Sequence, residues 1–351
     1  MTDSNVGARK ERNIRDNLFV VHGVVNSVVK KEMSSIDLAV YDLAKCFDSL
    51  WLQEIMNDLY EAGVDNDNFV LLYEENKNNL VAIKTAYGLT DRFTLDKIVM
   101  QGTVFGPLKC AVQMDKLGRL SYNRGSPLLL YKKTVEIPPL GMIDDILAMS
   151  PCGFSGIQSN SVINSFVESK RLQFGEKKCH KLHIGESTAI CPPLAVHDSP
   201  MASSEQEKYI GDIIERNGTN SAHFKERIDR GWAIKSEILA ILREVPLGHH
   251  EIEAGLILRN AMFVNGVLSS MEVRYGIRER EIRELEKIDE ELLRKIVRTS
   301  PKVSLASIYL ECSVTPLRYL VMQRRLNYLH HILTRDKSEL ISRIYLSLIH
   351  I

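Results

Sequence analysis

Residues 140–149 read LGMIDDILAM, and the interpretation of the whole chain starts from this stretch. Two adjacent carboxylates, Asp144 and Asp145, lie between two apolar runs that are each short enough to form a buried strand. The pattern predicts a hairpin with both acids at its tip. Adjacent acids raise each other's pKa by repulsion unless a cation lies beside them. Two interpretations stay open here: an ordinary Asp-rich turn and a magnesium site.

The composition is that of a globular protein with two or three domains. The chain has 351 residues, of which 44% are apolar and 26% are charged, and its net charge is zero. A zero net charge argues against a large sequence-independent surface for nucleic acid, although local patches remain compatible with it. No apolar run approaches the roughly 20 residues of a membrane helix, and residues 1–5 lack a signal-peptide core. We therefore expect no membrane contact and a nuclear and/or cytoplasmic location.

The first part of the chain predicts a second acid at the end of a strand. Residues 1–16 are polar and predict a loose tail, which enters a helix running from about 14 to 33. Residues 36–41 alternate apolar with other side chains and predict a strand that delivers Asp42. Two further strands are expected at 81–86 and 93–99, as a hairpin.

A glycine-containing loop follows this hairpin. Residues 100–108 read MQGTVFGPL, and Gly102 and Gly106 permit close approach of the backbone to another group. Pro107 is a good first residue for the next helix. Such joints are common, so the loop alone does not distinguish a ligand site from a plain turn.

The remainder separates into a mixed part and a helical part. Strands at 128–135, 182–184 and 208–213 and a helix at 156–172 predict an α+β sheet with helices on one face. From Ser221 onward the apolar residues keep helical spacing, for example Ile282, Leu285, Ile288, Leu292 and Ile296. The segment 318–343 is basic, with six Arg and Lys against two Asp and Glu.

The order of these features resembles the palm of a reverse transcriptase, most closely that of non-LTR (LINE-type) retrotransposons. The resemblance covers about residues 12–215, and its features occur in the family's order. They are Asp42 with Phe47 five residues on, Gln101-Gly102 before a helix, Asp144-Asp145 in an apolar hairpin, FGEKKC at 174–179, and Tyr209-Ile210-Gly211.

The resemblance implies a right-hand polymerase fold. It places an N-terminal tail and the finger-to-palm helix at 1–35, and a palm with an antiparallel sheet and partial fingers at 36–215. A helical thumb-like region would occupy 216–300, and a basic helical C-terminal region 301–351. Basic finger strands would precede residue 12, and the chain has no room for them, so a truncated element is expected.

The resemblance also implies a metal centre. Asp42 and Asp144 would bind two Mg²⁺ ions, with Mn²⁺ as an alternative metal, and Asp145 would complete the acidic tip. The main-chain carbonyl of Leu43 would be a further ligand. Two such ions would stabilise both the attacking 3′-oxygen and the departing pyrophosphate.

Further roles carry over to matching positions. Phe47 would exclude a 2′-hydroxyl from the incoming nucleotide, and Gln101 and Gly102 would line the nucleotide and template pocket. Lys178 (or Lys177) would lie near the triphosphate as a proton donor.

Tyr209, Ile210 and Gly211 would grip the primer end. The chain departs from the family's usual pattern at Met142 and Ile143, where an aromatic and a small residue are usual. It departs again at residues 103–105, where the family usually has Ser or Pro.

The expected function is RNA-directed DNA synthesis, with an RNA template, a DNA primer and deoxynucleoside triphosphates as partners. Two alternatives remain: a catalytically inactive remnant that binds nucleic acid, and an unrelated two-metal phosphoryl-transfer enzyme. The sequence leaves the oligomeric state open.

Overall fold

The computed structural model describes residues 2–7, 9–77, 80–94, 105–122, 127–130, 133–151, 154–186, 193–244 and 250–348. The chain divides into two compact units, which we call unit 1 (Met1–Gly211 with Ser338–Ile351) and unit 2 (Asp212–Lys337). None of the helices within these ranges combines the length and the hydropathy needed to cross a bilayer.

The strands and helices of unit 1 alternate irregularly, which confirms the predicted mixed α+β class. The strands are β1 (Ser35–Tyr41), β2 (Leu80–Val81), β3 (Lys84–Thr85), β4 (Gly88–Leu89), β5 (Phe93–Thr94), β6 (Pro127–Leu130), β7 (Lys133–Glu136), β8 (Leu140–Met142), β9 (Asp145–Ser150), β10 (His180–Gly185), β11 (Ala195–Val196), β12 (Ser199–Pro200), β13 (Ala202–Ser203) and β14 (Gln206–Tyr209). The helices that precede unit 2 are α1 (Ile14–Val29), α2 (Cys46–Ser49), α3 (Leu52–Glu61), α4 (Asn66–Asn76), α5 (Gly106–Tyr122) and α6 (Phe154–Ser169).

Strand β1 is the centre of a five-stranded sheet with the order β13-β10-β1-β9-β8. It pairs antiparallel with both β9 and β10, and only the short β13 joins parallel, against β10. Ala39 and Tyr41 on one face of β1 belong to a buried cluster with residues of α5 and α6, and Ile36 and Leu38 on the other face are also buried. Burial on both faces explains the high apolar content of this strand.

Helix α1 begins where the sequence predicts, because Asn13 and Asp16 form a capping box around its first turn. It ends at Val29, a few residues earlier than predicted. Its Gly23 allows a close approach of the last helix, since a Cβ there would lie 3.2 Å from Ile344 Cγ2. The chain thus returns to unit 1 at its C-terminal end.

Unit 2 is helical after one strand, as the apolar spacing predicts. It contains β15 (Asp212–Glu215), α7 (Ser221–Glu244), α8 (Glu251–Leu258), a π-helical segment (Arg259–Val264), α9 (Asn265–Val267), α10 (Glu279–Ile296), α11 (Leu305–Glu311) and α12 (Leu317–Leu333), and it is followed in unit 1 by α13 (Leu340–Leu348). The five predicted apolar positions of α10 are all buried. Arg259 and Asp289 form an ion pair of 2.5 Å inside this unit, and both side chains are fully buried.

Candidate active site at the end of the central sheet

The predicted acidic hairpin is present and lies beside the end of β1. Met142 pairs with Asp145 across a two-residue loop formed by Ile143 and Asp144. In the neighbouring ladder Tyr41 pairs with Ile146, so the next position places Asp42 opposite Asp145. The sheet therefore brings Asp42 close to two adjacent carboxylates, Asp144 and Asp145, that follow it by about 100 residues in the sequence.

The hairpin loop has an unusual backbone conformation. Ile143 has a φ of +61°, in the left-handed region that β-branched residues rarely adopt. Glycine stands nearby at position 7, and a Cβ there would lie only 2.8 Å from the Ile143 nitrogen. The loop that carries Asp144 is thus both strained and closely packed from one side.

Lost hydration, followed by repulsion from neighbouring carboxylates, raises the pKa of both hairpin acids. For Asp144, burial is the largest cause, and the negative charge of Asp42 adds to it, while a backbone hydrogen bond and Lys178 act in the opposite direction. The Asp145 side chain is exposed. Its pKa is nevertheless raised, first by reduced hydration within the hairpin and then by the negative charges of Asp144 and Asp42. A cation bound among the three acids would remove this cost.

The donor set suits magnesium bound together with a substrate. Within the described ranges, no group of three or more His, Cys, Asp or Glu side chains forms a ready-made metal cage. All the donors at the hairpin are oxygens, however, and Mg²⁺ usually binds one or two carboxylates and completes its shell with waters and substrate phosphates. The three acids fit that mode of binding.

Asp42 is held by the segment 173–179. The Gly175 N–H donates to the Asp42 carbonyl at 2.8 Å, and the Ala44 N–H donates to the Gln173 carbonyl at 2.8 Å. These two bonds enclose Leu43, which forms an isolated bridge with Phe174. In antiparallel geometry the carbonyl of the enclosed residue points away from its partner, so the Leu43 carbonyl is directed to the side of β1 on which β9 lies.

Lys178 brings a positive charge to the acids. It ends a 3₁₀ turn, Glu176–Lys178, and its Nζ lies 3.4 Å from both carboxylate oxygens of Asp42. The lysine side chain is 73% exposed, so solvent screens this pair and it contributes little to stability. The lysine is therefore free to exchange partners at small cost.

Phe47 lies in α2, shortly after Asp42. Its ring is partly buried and packs against the core cluster that also contains Leu50 and Ile55. Gln101 and Gly102, predicted to line the nucleotide pocket, lie outside the described residues.

The Tyr209 ring lies inside unit 1. Its hydroxyl donates to the Leu140 carbonyl at 3.2 Å and accepts from Asn17 Nδ2 at 3.3 Å. Burial raises its pKa far above the ordinary tyrosine value. Ile210 and Gly211 follow with φ values of +48° and +75°, which makes a sharp turn. A contact of this segment with a primer would therefore come from the turn rather than from the Tyr209 ring.

Sequence reasoning missed the contribution of the N-terminal residues. The Val6 N–H donates to the Gly141 carbonyl at 3.1 Å, and the Gly141 N–H donates to the Ser4 carbonyl at 2.8 Å. Asn5 Nδ2 also donates to the Ala111 carbonyl at 2.8 Å. The prediction of a loose tail is wrong for residues 2–7, because these bonds attach the segment to the edge of the acidic hairpin. Only the lack of a long charge run in this tail could have suggested order.

The family of the chain follows from its sequence. A sequence model described as "Reverse transcriptase (RNA-dependent DNA polymerase)" matches residues 1–214. The chain belongs to this family, and its first part, with the acidic hairpin, is a reverse transcriptase domain. The corresponding class of enzyme is RNA-directed DNA polymerase, a nucleotidyltransferase. No protein of curated function matches the chain.

Solved structures that match this chain include telomerases from two Candida species. Apo telomerase from Candida tropicalis is 13% identical, and the match covers 97% of this chain and 56% of that one with a TM-score of 0.47. Telomerase from Candida albicans in complex with a TWJ fragment of telomeric RNA is 14% identical, with 97% and 55% covered and a TM-score of 0.41. The chain spans about half the length of these telomerases.

Proposed function

We propose that the chain is the reverse transcriptase domain of a non-LTR (LINE-type) retrotransposon, and that it adds deoxynucleotides to a primer 3′ end. The observation that carries this proposal is the position of Asp42 opposite the Asp144-Asp145 hairpin. Nucleotidyl transfer needs charge neutralisation and positioning more than covalent chemistry, and these acids are arranged for both. The origin from LINE-type elements rests on the order of the sequence motifs.

The proposed metal ligands are Asp42, Asp144, Asp145 and the carbonyl of Leu43. Two Mg²⁺ ions, or two Mn²⁺ ions in their place, would neutralise the negative charge on the attacking and leaving oxygens. Lys178, which now pairs with Asp42, would leave the carboxylate and turn its ammonium group to the triphosphate.

The proposed substrate contacts lie on either side of the acids. Phe47 would restrict the space at the sugar 2′ position, and Gln101 and Gly102 would contact the nucleotide and template. The turn at Ile210 and Gly211 would contact the primer. The partners are an RNA template, a DNA primer and deoxynucleoside triphosphates, in the nucleus and/or the cytoplasm.

We assign the palm with partial fingers to residues 36–215, a helical thumb-like region to residues 216–300 and a basic helical C-terminal region to residues 301–351. Within this assignment α1 is the finger-to-palm helix.

Primer extension on an RNA template tests the proposal. With Mg²⁺ and deoxynucleotides we expect synthesis by the wild-type chain and a loss of about 10³-fold in Asp144→Asn, because metal-assisted charge stabilisation is worth several kcal/mol. Asp65→Asn is the matched control, since Asp65 is an exposed acid before α4 with no capping bond. Equal extension by wild type and Asp144→Asn would contradict the metal assignment.

The second candidate function is a catalytically inactive remnant that binds nucleic acid. The basic segment 318–343 of the chain supports this candidate less strongly than the sequence suggests. Arg318 pairs with Glu286, Arg324 donates to the Leu268 carbonyl, and Arg325 donates to the Arg274 carbonyl. These arginines thus have structural partners. Salt-dependent binding of RNA or DNA by a folded wild-type chain that gives no extension would favour the remnant.

A further inference from the structure

We propose that Gly175 is a positioning residue for the Asp42 carboxylate: the missing side chain at position 175 leaves the space that the carboxylate occupies. The inference concerns the position of one proposed metal-binding carboxylate, and it rests on the proposed function. It assigns a role to a residue that is not among the proposed metal ligands or substrate contacts.

The steric evidence is direct. A Cβ built on Gly175 would overlap Asp42 Oδ2, at a separation that real side chains do not reach, and it would lie 3.5 Å from Asp42 Cγ. The nearest atoms to that Cβ all belong to Asp42. A methyl group at position 175 and the observed position of the carboxylate are therefore mutually exclusive.

Backbone conformation does not explain this glycine. Gly175 has φ −80° and ψ 73°, on the side of φ that residues with a side chain adopt readily. Gly185, by contrast, has a φ of +105°, which strains any other residue. An alanine at 175 would keep the local fold, so its effect would fall on the neighbouring carboxylate.

Hydrogen bonds prevent the backbone at 175 from moving away. The Gly175 N–H is bonded to the Asp42 carbonyl at 2.8 Å, and the Gly175 carbonyl accepts from the Lys178 N–H at 2.7 Å. The Lys178 ammonium lies 3.4 Å from the carboxylate. Because the peptide is fixed and the Asp42 side chain can rotate, the carboxylate is the group that must shift.

The experiment compares Gly175→Ala with Gly141→Ala. The three atoms nearest to a Cβ at Gly141 would belong to Asn5 and lie at 3.7 Å or more, which is ordinary contact. We expect both variants to keep the wild-type melting temperature. We expect Gly175→Ala alone to weaken Mn²⁺ binding, measured by electron paramagnetic resonance, by about 10- to 100-fold, as is usual when the support of a metal ligand is lost. The Mg²⁺ concentration for half-maximal extension should rise by a similar factor.

A second background tests whether the effect acts through Asp42. In Asp42→Asn, adding Gly175→Ala should cause no further loss of Mn²⁺ affinity, because the displaced carboxylate is already gone. An additive loss in the double variant would overturn the proposal. So would a Gly175→Ala variant with wild-type Mn²⁺ affinity and wild-type Mg²⁺ dependence.

A crystal structure of Gly175→Ala gives a readout that needs neither metal nor activity. A displaced Asp42 carboxylate with an unchanged backbone at 173–175 supports the proposal, and a carboxylate in its original place overturns it. If the wild-type chain gives no extension and the carboxylate is nevertheless displaced in the variant, the proposed function fails while the steric relationship stands.

Discussion

The hydroxyl of Tyr209 donates a hydrogen bond to the main-chain carbonyl of Leu140, at the start of the strand that leads into the acidic hairpin. The same hydroxyl accepts from Asn17 on α1, and the Tyr209 side chain is 1% exposed. One buried phenol thus connects the hairpin to the helix beside it.

Replacing Tyr209 with Phe should lower the free energy of unfolding by about 1–3 kcal/mol, because the buried partners lose their hydrogen bonds. Urea denaturation measures this. Tyr87→Phe is the control, since Tyr87 is fully exposed and should change nothing. Equal stability of Tyr209→Phe and wild type would show that these bonds are dispensable.

Acid should destabilise unit 2 through His223. Burial is the main cause that lowers the His223 pKa to about 4; Arg274 and Arg227 add to it, and Asp212, 2.8 Å away, opposes it. The unfolded chain therefore binds the proton more readily than the folded chain, so stability falls as pH drops from about 6.5 towards 4. At about 1.4 kcal/mol per pKa unit, the loss reaches about 3 kcal/mol.

The variant His223→Gln removes the titrating group, and its stability should fall less steeply over this pH range. Chemical denaturation at a series of pH values provides the comparison. The exposed His250 supplies the control, His250→Gln, which should keep the wild-type slope. A slope that survives in His223→Gln would assign the acid sensitivity to other groups.

Replacing one partner of the buried Arg259–Asp289 ion pair should destabilise the protein much more than replacing both partners together. Asp289→Leu leaves the Arg259 guanidinium buried without its partner and should cost about 3–5 kcal/mol, whereas Asp289→Leu with Arg259→Met should recover most of that loss. Thermal and urea unfolding measure both. The exposed pair Arg283–Glu279 is the comparison, and Arg283→Met should cost less than about 1 kcal/mol. A double variant as unstable as Asp289→Leu would contradict the argument.

Sugar selection should depend on Phe47. With the ring removed in Phe47→Ala, the space at the 2′ position opens, and the preference for deoxynucleotides over ribonucleotides should fall by about 10- to 100-fold. Single-nucleotide incorporation with each sugar measures this ratio. Phe93→Ala removes a half-exposed ring on β5 and should leave the ratio unchanged. Unchanged discrimination in Phe47→Ala would remove this residue from the role.

The sequence predicts those parts of the site whose residues form a pattern within a short stretch of the chain. The alternation before Asp42 and the two apolar runs around Asp144-Asp145 each fall within about ten residues, so strand and hairpin could be inferred from them. Gly175 was visible as part of the FGEKKC stretch, but its steric relationship to Asp42 joins residues more than 130 positions apart. No periodicity records such a contact.

The same reasoning explains why the sequence does not reveal where the two ends of the chain pack. Residues 4–6 join the sheet edge through main-chain bonds to Gly141, and main-chain bonds leave little trace in the choice of side chains. The C-terminal helix α13 has the apolar pattern of any buried helix, and nothing in that pattern tells which helix it will pack against.

The return of the chain at Ser338 has a practical consequence for where the folded domain ends. The segment that carries the family signature stops at residue 214, yet Ile344 and Leu348 pack against Gly23 of α1, and Arg12 pairs with Glu339 at 3.0 Å. A fragment that ends at residue 214 would therefore lose the helix α13 that packs against α1. The segment that matches the family model and compact unit 1 therefore differ in extent, and we expect a fragment of unit 1 to fold only with residues 338–348 supplied in cis or as a separate peptide.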